Sequence, residues 1–227
     1  MTTNIADLRQ DYQLQSLDRN DVDENPFVQF SKWFDEALKS EILEPNAMTL
    51  ATVSAEGKPS ARIVLLKGIH TPKGINDESG FVFYTNYDSH KGKDMAANPH
   101  VALCFNWLDL QRQIRMEGVV KKTDPSVSDD YFNTRPKASR IGALASPQSQ
   151  IVPNRAFLEE NFNNLLEKYA DTPEGINEGV PRPENWGGYI VKPTLIEFWQ
   201  GRRSRLHDRI CYIKQENGTW KIERLAP

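Results

Sequence analysis

A series of short strand-like runs, most of them joined by hairpin-length connections, limits what this chain can fold into more than any other feature. They are Met48–Ser54, Ala61–Ile69, Gly80–Thr85, Val101–Trp107 and Arg112–Lys121, then Gly188–Lys192, Leu195–Gln200, Arg209–Gln215 and Trp220–Arg224. Ala-Glu-Gly-Lys-Pro joins the first two, and Asn217-Gly218 is a tight-hairpin signal before the last. Helical patterns do not alternate regularly with these runs, which argues against a doubly wound parallel sheet. The pattern predicts an antiparallel sheet closed into a small barrel, mainly β, with helices packed outside.

The helices announce themselves by their starts. Asn25-Pro26 pairs an N-cap with a proline at the first helical position. Phe27, Phe30, Trp33, Phe34, Ala37 and Leu38 then recur at helical spacing, and Pro45 closes the element. Such a stripe is core packing. Ser89 caps a short helix over 90–98, Asp124-Pro125 starts another through Phe132, and Ala156–Ala170 is amphipathic. Residues 70–79 form an exposed loop, as do 171–185. Residues 1–24 are polar, without a strong period, and read as a mobile N-terminal arm. Residues 25–227 read as one domain.

Composition excludes several functions. Lys and Arg number 28 against 31 acidic residues, a formal charge of −3, so nothing draws the whole chain to nucleic acid or an anionic membrane. No apolar run is long enough to cross a bilayer and no signal core opens the chain, so cytoplasmic residence is expected. Cys104 and Cys211 have no framework spacing, and the four histidines form no metal motif, so no metal is expected.

Against that mildly acidic background, positive charge is concentrated locally. Four arginines and a histidine fall within residues 202–209, just after a run ending in Phe198-Trp199-Gln200-Gly201. Arginine grips phosphate or carboxylate through a planar fork, and histidine moves a proton near neutral pH. Alone, the run would read as a solvated turn. Two further clusters argue otherwise. Arg62 and Lys67 close the ends of an apolar run, on opposite faces if it is one strand. Tyr131, Arg135 and Ser139 are spaced four apart and would share a helical face, although Pro136 interrupts them. There is no glycine-rich dinucleotide loop and no Walker-type loop, so side chains must hold any cofactor phosphate.

Arg62-Ile-Val-Leu-Leu-Lys67, Phe83-Tyr84-Thr85-Asn86, Gln148-Ser149, Trp186-Gly-Gly, Glu197-Phe-Trp-Gln-Gly, Arg205-Leu-His-Asp-Arg209 and the closing Arg224-Leu-Ala-Pro227 occur in one order. In this the chain resembles the pyridoxine/pyridoxamine 5′-phosphate oxidase family, from about residue 9 to its end. The resemblance implies a Greek-key split barrel working as a homodimer with FMN at the subunit interface. It implies oxidation of pyridoxamine or pyridoxine 5′-phosphate to pyridoxal 5′-phosphate, with O2 as acceptor and H2O2 released. The FMN contacts it implies are Arg62, Ile63, Val64, Leu65, Leu66, Lys67, Tyr84, Thr85, His90, Lys91, Gln113, Gln148, Ser149, Trp199 and Arg209. The substrate contacts are Arg9, Gln10, Asp11, Tyr12, Lys67, Tyr131, Arg135, Ser139, Arg205, Leu206 and His207, with Arg205 and His207 nearest the reacting carbon. One departure stands out: the family often has Ser-Arg-Lys where this chain has Ser89-His90-Lys91. Histidine is at most partly charged near pH 7, so position 90 brings less positive charge to the FMN phosphate.

A non-catalytic split-barrel carrier or sensor of flavin, haem or pyridoxal phosphate is the rival reading. It would have no reason to keep Tyr131, Arg135, Ser139, Arg205 and His207 together. Trp186 reads as a core aromatic.

Overall fold

Asn25 caps the first helix, α1 (Pro26–Lys39), by accepting the Phe27 N–H at 2.9 Å. The helix stops at Ser40, and Glu41 turns left-handed (φ 57°), so it ends well short of Pro45. These elements belong to a computed structural model that describes residues 5, 11–71, 79–170 and 179–227. Phe27, Phe30, Trp33 and Ala37 of α1 are all buried. Phe30 meets Phe81 at 4.9 Å and Phe105 at 5.2 Å, and Trp33 meets Phe198 at 5.2 Å. Each such ring removed from water contributes on the order of 1.5–3 kcal/mol.

The strands are β1 (Ala47–Val53), β2 (Pro59–Leu65), β3 (Gly68–His70), β4 (Gly80–Asn86), β5 (His100–Trp107), β6 (Arg112–Lys122), β7 (Trp186–Gln200), β8 (Asp208–Lys214) and β9 (Trp220–Arg224). They form one antiparallel sheet in the order β2-β1-β5-β6-β7-β4-β3, with β8 on β7 and β9 on β8. The other helices are α2 (His90–Ala97), α3 (Pro125–Thr134), α4 (Lys137–Ala145) and α5 (Arg155–Lys168). The expected class, an antiparallel barrel with added helices, is what the chain forms.

Two sequence expectations need correction. The runs 188–192 and 195–200 are one strand, β7, which exchanges partners along its length: β4 pairs with Trp186–Val191 and β8 with Leu195–Gln200. Pro193, which cannot donate to a ladder, sits opposite a bulge at Glu117/Gly118 and lets the strand bend without ending. A Cβ on Gly118 would lie 2.2 Å from the Lys192 carbonyl oxygen, so glycine permits this approach. Conversely, 61–69 is two strands. β2 pairs with β1, and β3 with β4, at opposite ends of the strand order. Lys67 therefore lies at a corner, beyond the strand that carries Arg62.

The described part of the N-terminal segment is packed against the sheet. Leu17 and Val22 are buried, the Leu17 N–H donates to Asp208 at 3.1 Å, and the Tyr212 hydroxyl donates to the Asp23 carbonyl at 2.6 Å. Packing against the sheet thus reaches back to Leu17 and Val22, while most of residues 11–24 are exposed.

Candidate active site

A cleft of about 480 Å³ opens beside β2, β4, α2 and the α3–α4 junction. Its lining includes Ile63, Val64, Leu65, Lys67, Tyr84, Thr85, Lys91, Tyr131, Arg135, Ser139 and Gln148, all singled out from sequence. Local chemistry sets each position. Ser89 caps α2 through the Gly92 N–H at 3.3 Å, which carries Lys91 into the cleft. Lys91 is 8% exposed, and its Nζ donates to Thr85 Oγ1 (3.2 Å), Ser89 Oγ (3.3 Å) and Gln148 Oε1 (3.4 Å). Burial, then the charge of Arg62, pulls its pKa down. Among the described residues Lys91 donates only to neutral oxygens, the setting of a cation that awaits an anion.

Pro136 ends α3 and leaves Arg135 extended (φ −74°, ψ 145°) before α4 begins. The guanidinium lies 4.7 Å from the Trp186 ring, and its Nη1 is buried without a hydrogen-bond partner. Burial pushes the Arg135 pKa down, and Tyr131 acts in the opposite direction. A buried, unsatisfied guanidinium nitrogen is costly unless something accepts from it. The aromatic wall is flat: Tyr84 stacks on Tyr131 at 3.9 Å and on Trp186 at 5.5 Å. Trp186 is both buried and part of the cleft wall, so its expected role as a core aromatic was only half of the outcome. Asn86, Gly142, Ala143 and Ser146 also line the cleft. Asn86 closes the Phe83-Tyr84-Thr85-Asn86 motif, whereas the sequence pattern predicts no helix over 137–145 and so holds no signal for the other three.

Arg62 is not among the lining residues. It donates to the Leu50 carbonyl (3.1 Å) and Thr52 Oγ1 (2.7 Å), with buried Asp94 at 3.9 Å. Asp94 also accepts from Thr52 Oγ1 at 2.6 Å and lies 3.5 Å from His90 Nε2. His90 itself is exposed and Leu66 is buried, while Ser149 adopts a left-handed backbone (φ 68°) just beyond Gln148.

A second group forms on β6, β7 and β8. Gln113, Trp199 and Arg209 sit side by side in register. Trp199 lies 4.6 Å from His207, and Tyr12 meets both rings edge-on at 5.8 Å. The Arg202 N–H donates to His207 Nδ1 at 3.1 Å, which leaves the proton of the neutral ring on Nε2. Burial, then Arg205, lowers the His207 pKa against the pull of Asp208. Arg209 grips Glu197 at 2.7 and 3.0 Å, and Arg115 adds a third bond at 2.9 Å. Burial alone would raise the Glu197 pKa, but the two arginines outweigh it and hold the carboxyl below its ordinary range. Arg205 and Leu206 are exposed, and Ser204 and Arg205 both turn left-handed (φ 55° and 61°). Asp11 is exposed too; Arg9 and Gln10 lie outside the described residues. Within one chain, none of Gln113, Trp199, Arg205, His207 and Arg209 lines the first cleft.

Among the described residues the nine-stranded antiparallel half-barrel, with its cation-bearing aromatic cleft, is a split-barrel architecture. Residues 34–168 match the model of pyridoxamine 5′-phosphate oxidase, and 186–227 that of the pyridoxine 5′-phosphate oxidase C-terminal dimerisation region. The chain belongs to the pyridoxamine 5′-phosphate oxidase family. A Ralstonia nicotianae protein named pyridoxine/pyridoxamine 5′-phosphate oxidase 1 is 55% identical over 99% of this chain and 100% of its own. The solved structure of PhzG from Burkholderia lata 383, in complex with tetrahydrophenazine-1-carboxylic acid, matches at TM-score 0.83 and 25% identity, covering 96% of this chain and 100% of that one. A pyridoxamine 5′-phosphate oxidase-related, FMN-binding protein from Nostoc punctiforme PCC 73102 shares the fold, at TM-score 0.67 and 17% identity over 89% of this chain and 98% of that one. Among the described residues no helix is long and apolar enough to cross a membrane.

Proposed function

We propose that this protein oxidises pyridoxamine and pyridoxine 5′-phosphate to pyridoxal 5′-phosphate, using FMN, with O2 as the electron acceptor. Each turnover releases H2O2, and the amine substrate also takes up water and releases ammonia. The protein acts as a homodimer in the cytoplasm. The observation that carries this reading is the unsatisfied Nη1 of Arg135, buried in a cleft that also holds the Tyr131 and Ser139 hydroxyls. A phosphate monoester satisfies such a donor set through charge-assisted bonds.

Lys91, Thr85 and Gln148 make a second polar group in the same cleft, which fits the phosphate of FMN. Arg62 stands behind it and adds positive charge. Bound FMN would supply the two-electron chemistry, which no side chain of this protein can. The chain's own work is to bind, orient and exclude water. Tyr84, Tyr131 and Trp186 offer flat apolar surface to a ring. Arg205 and His207, carried in from a second copy of the chain, would orient the substrate ring over the cofactor. His207, neutral near pH 7 with its proton on Nε2, can donate a hydrogen bond there while Arg202 fixes its other nitrogen.

Purified protein loaded with FMN should lose its flavin absorption when pyridoxamine 5′-phosphate is added under nitrogen and regain it in air. Flavin that stays oxidised would leave the carrier reading in place of the enzyme.

A further inference from the structure

Gly201 and Gln111 belong to neither of the two groups. Gly201 follows β7, and its N–H donates to the Gln111 carbonyl at 2.8 Å. A Cβ on Gly201 would lie 2.8 Å from both Cβ and Cγ of Tyr12. The missing side chain is thus a slot, and the stem of Tyr12 fills it. Gln111 is left-handed (φ 54°, ψ 40°), and its Oε1 accepts the N–H groups of Gln13 (2.9 Å) and Leu14 (3.3 Å). Residues 12–16 form no helix or strand. Their firm anchor is Leu17, buried and bonded to Asp208 and, through its carbonyl, to Arg224 at 3.0 Å. Ahead of that anchor Arg112 donates to the Gln15 carboxamide and Arg203 to that of Gln13, while the Gly201 slot and the Gln111 carboxamide hold the backbone nearest Tyr12 and set its ring against Trp199 and His207.

We infer that Gly201 and Gln111 are positioning residues for the reaction: they seat Tyr12, and through it shape the face of the site that meets the substrate. This rests on the function proposed above. The contacts nearest Tyr12 are few and individually weak, so loss of one shifts the segment away from its seated state. Apparent substrate affinity then scales with the seated fraction. The hold on the cofactor phosphate does not, because the Lys91 group lines a cleft that Tyr12 does not reach.

Gly201→Ala and Gln111→Asn test this in the FMN-loaded protein, each made alone and in a Tyr12→Gly background. Gly201 is not in the left-handed region, so alanine strains no backbone there; apart from Tyr12, its methyl would meet Gln111 Cβ at 3.1 Å, which a shift of a few tenths of an ångström relieves. Asparagine tolerates the left-handed backbone of position 111 but is one methylene too short to reach. Amide hydrogen exchange at Gln13 and Leu14 reads the seat directly. Both single variants should exchange faster there. They should raise KM for pyridoxamine 5′-phosphate roughly tenfold while kcat and bound FMN stay within about twofold. In the Tyr12→Gly background Gly201→Ala should add nothing to KM. Unchanged exchange, faster exchange with an unchanged KM, or an undiminished KM effect in the Tyr12→Gly background would each overturn the inference alone. Failure of the unaltered protein to oxidise the substrate would overturn the functional reading, and the inference with it.

Discussion

Arg135 and Lys91 face the same cleft but differ in what surrounds their charge. Arg135 lies against rings and leaves Nη1 unsatisfied, whereas Lys91 spends its donors on three neutral oxygens. If each serves its own phosphate, each loss should be selective. Removing one charge-assisted contact costs about 1.5–3 kcal/mol, or roughly ten- to a hundredfold in affinity. Arg135→Ala should raise the KM for pyridoxamine 5′-phosphate by that factor and leave FMN affinity near wild type. Lys91→Ala should weaken FMN, read by titrating the apoprotein, with a smaller effect on KM once the flavin saturates. Equal flavin loss in both variants would mean that the two cations share one anion. Glu197 teaches a related lesson: it is 2% exposed yet stays ionised, because two arginines supply what water would have supplied.

Among the elements, β7 decides the architecture. Its first half closes one side of the half-barrel through β4, and its second half starts the β8–β9 hairpin that carries Arg209. The bend between them depends on two residues from different strands, Pro193 and Gly118. Gly118→Ala puts a methyl against the Lys192 carbonyl oxygen and the Pro193 Cα, both backbone atoms that cannot swing aside. Overpacking of that kind costs about 1–3 kcal/mol, which lowers the melting temperature of a domain this size by roughly 2–12 °C. A thermal melt followed by circular dichroism checks it, and an unchanged midpoint would show that the bend does not depend on Gly118. The α3–α4 break works in the same way. A continuous helix would align Tyr131, Arg135 and Ser139, but the break at Pro136 turns Arg135 back over Trp186 instead.

For the whole molecule, the division of the candidate residues is the central fact. Within one chain the Trp199–His207–Arg209 group does not line the cleft that holds Lys91 and Arg135. If one substrate meets both, as proposed above, two copies must pair. The match of 186–227 to a dimerisation region points the same way, since that segment carries the second group. Light scattering should therefore report a homodimer, and dilution to monomer should release FMN, measured as recovered flavin fluorescence. A monomer that retains both flavin and full activity would remove the shared site.

Several features were legible in the sequence because their causes are local. Asn25-Pro26 starts a helix through its own cap, Asn217-Gly218 turns a hairpin by its own backbone freedom, and Pro136, falling where a helix is already under way, ends it. Period-two runs marked the strands for the same reason, and the cation clusters stood out because charge is read residue by residue. Partner choice is not local. That β7 would serve both β4 and β8, that 61–69 would divide between two sheet edges, and that Trp186 would stack on Tyr84 and Tyr131 all depend on segments far apart in the chain. Tyr12 in the slot at Gly201 belongs with these. A glycine's empty space acquires meaning only when packing brings a distant side chain to fill it. The chemistry of this protein was written in its residue types, whereas the tertiary structure alone decided which of those residues meet, because burial and register join segments that the order of the chain keeps apart.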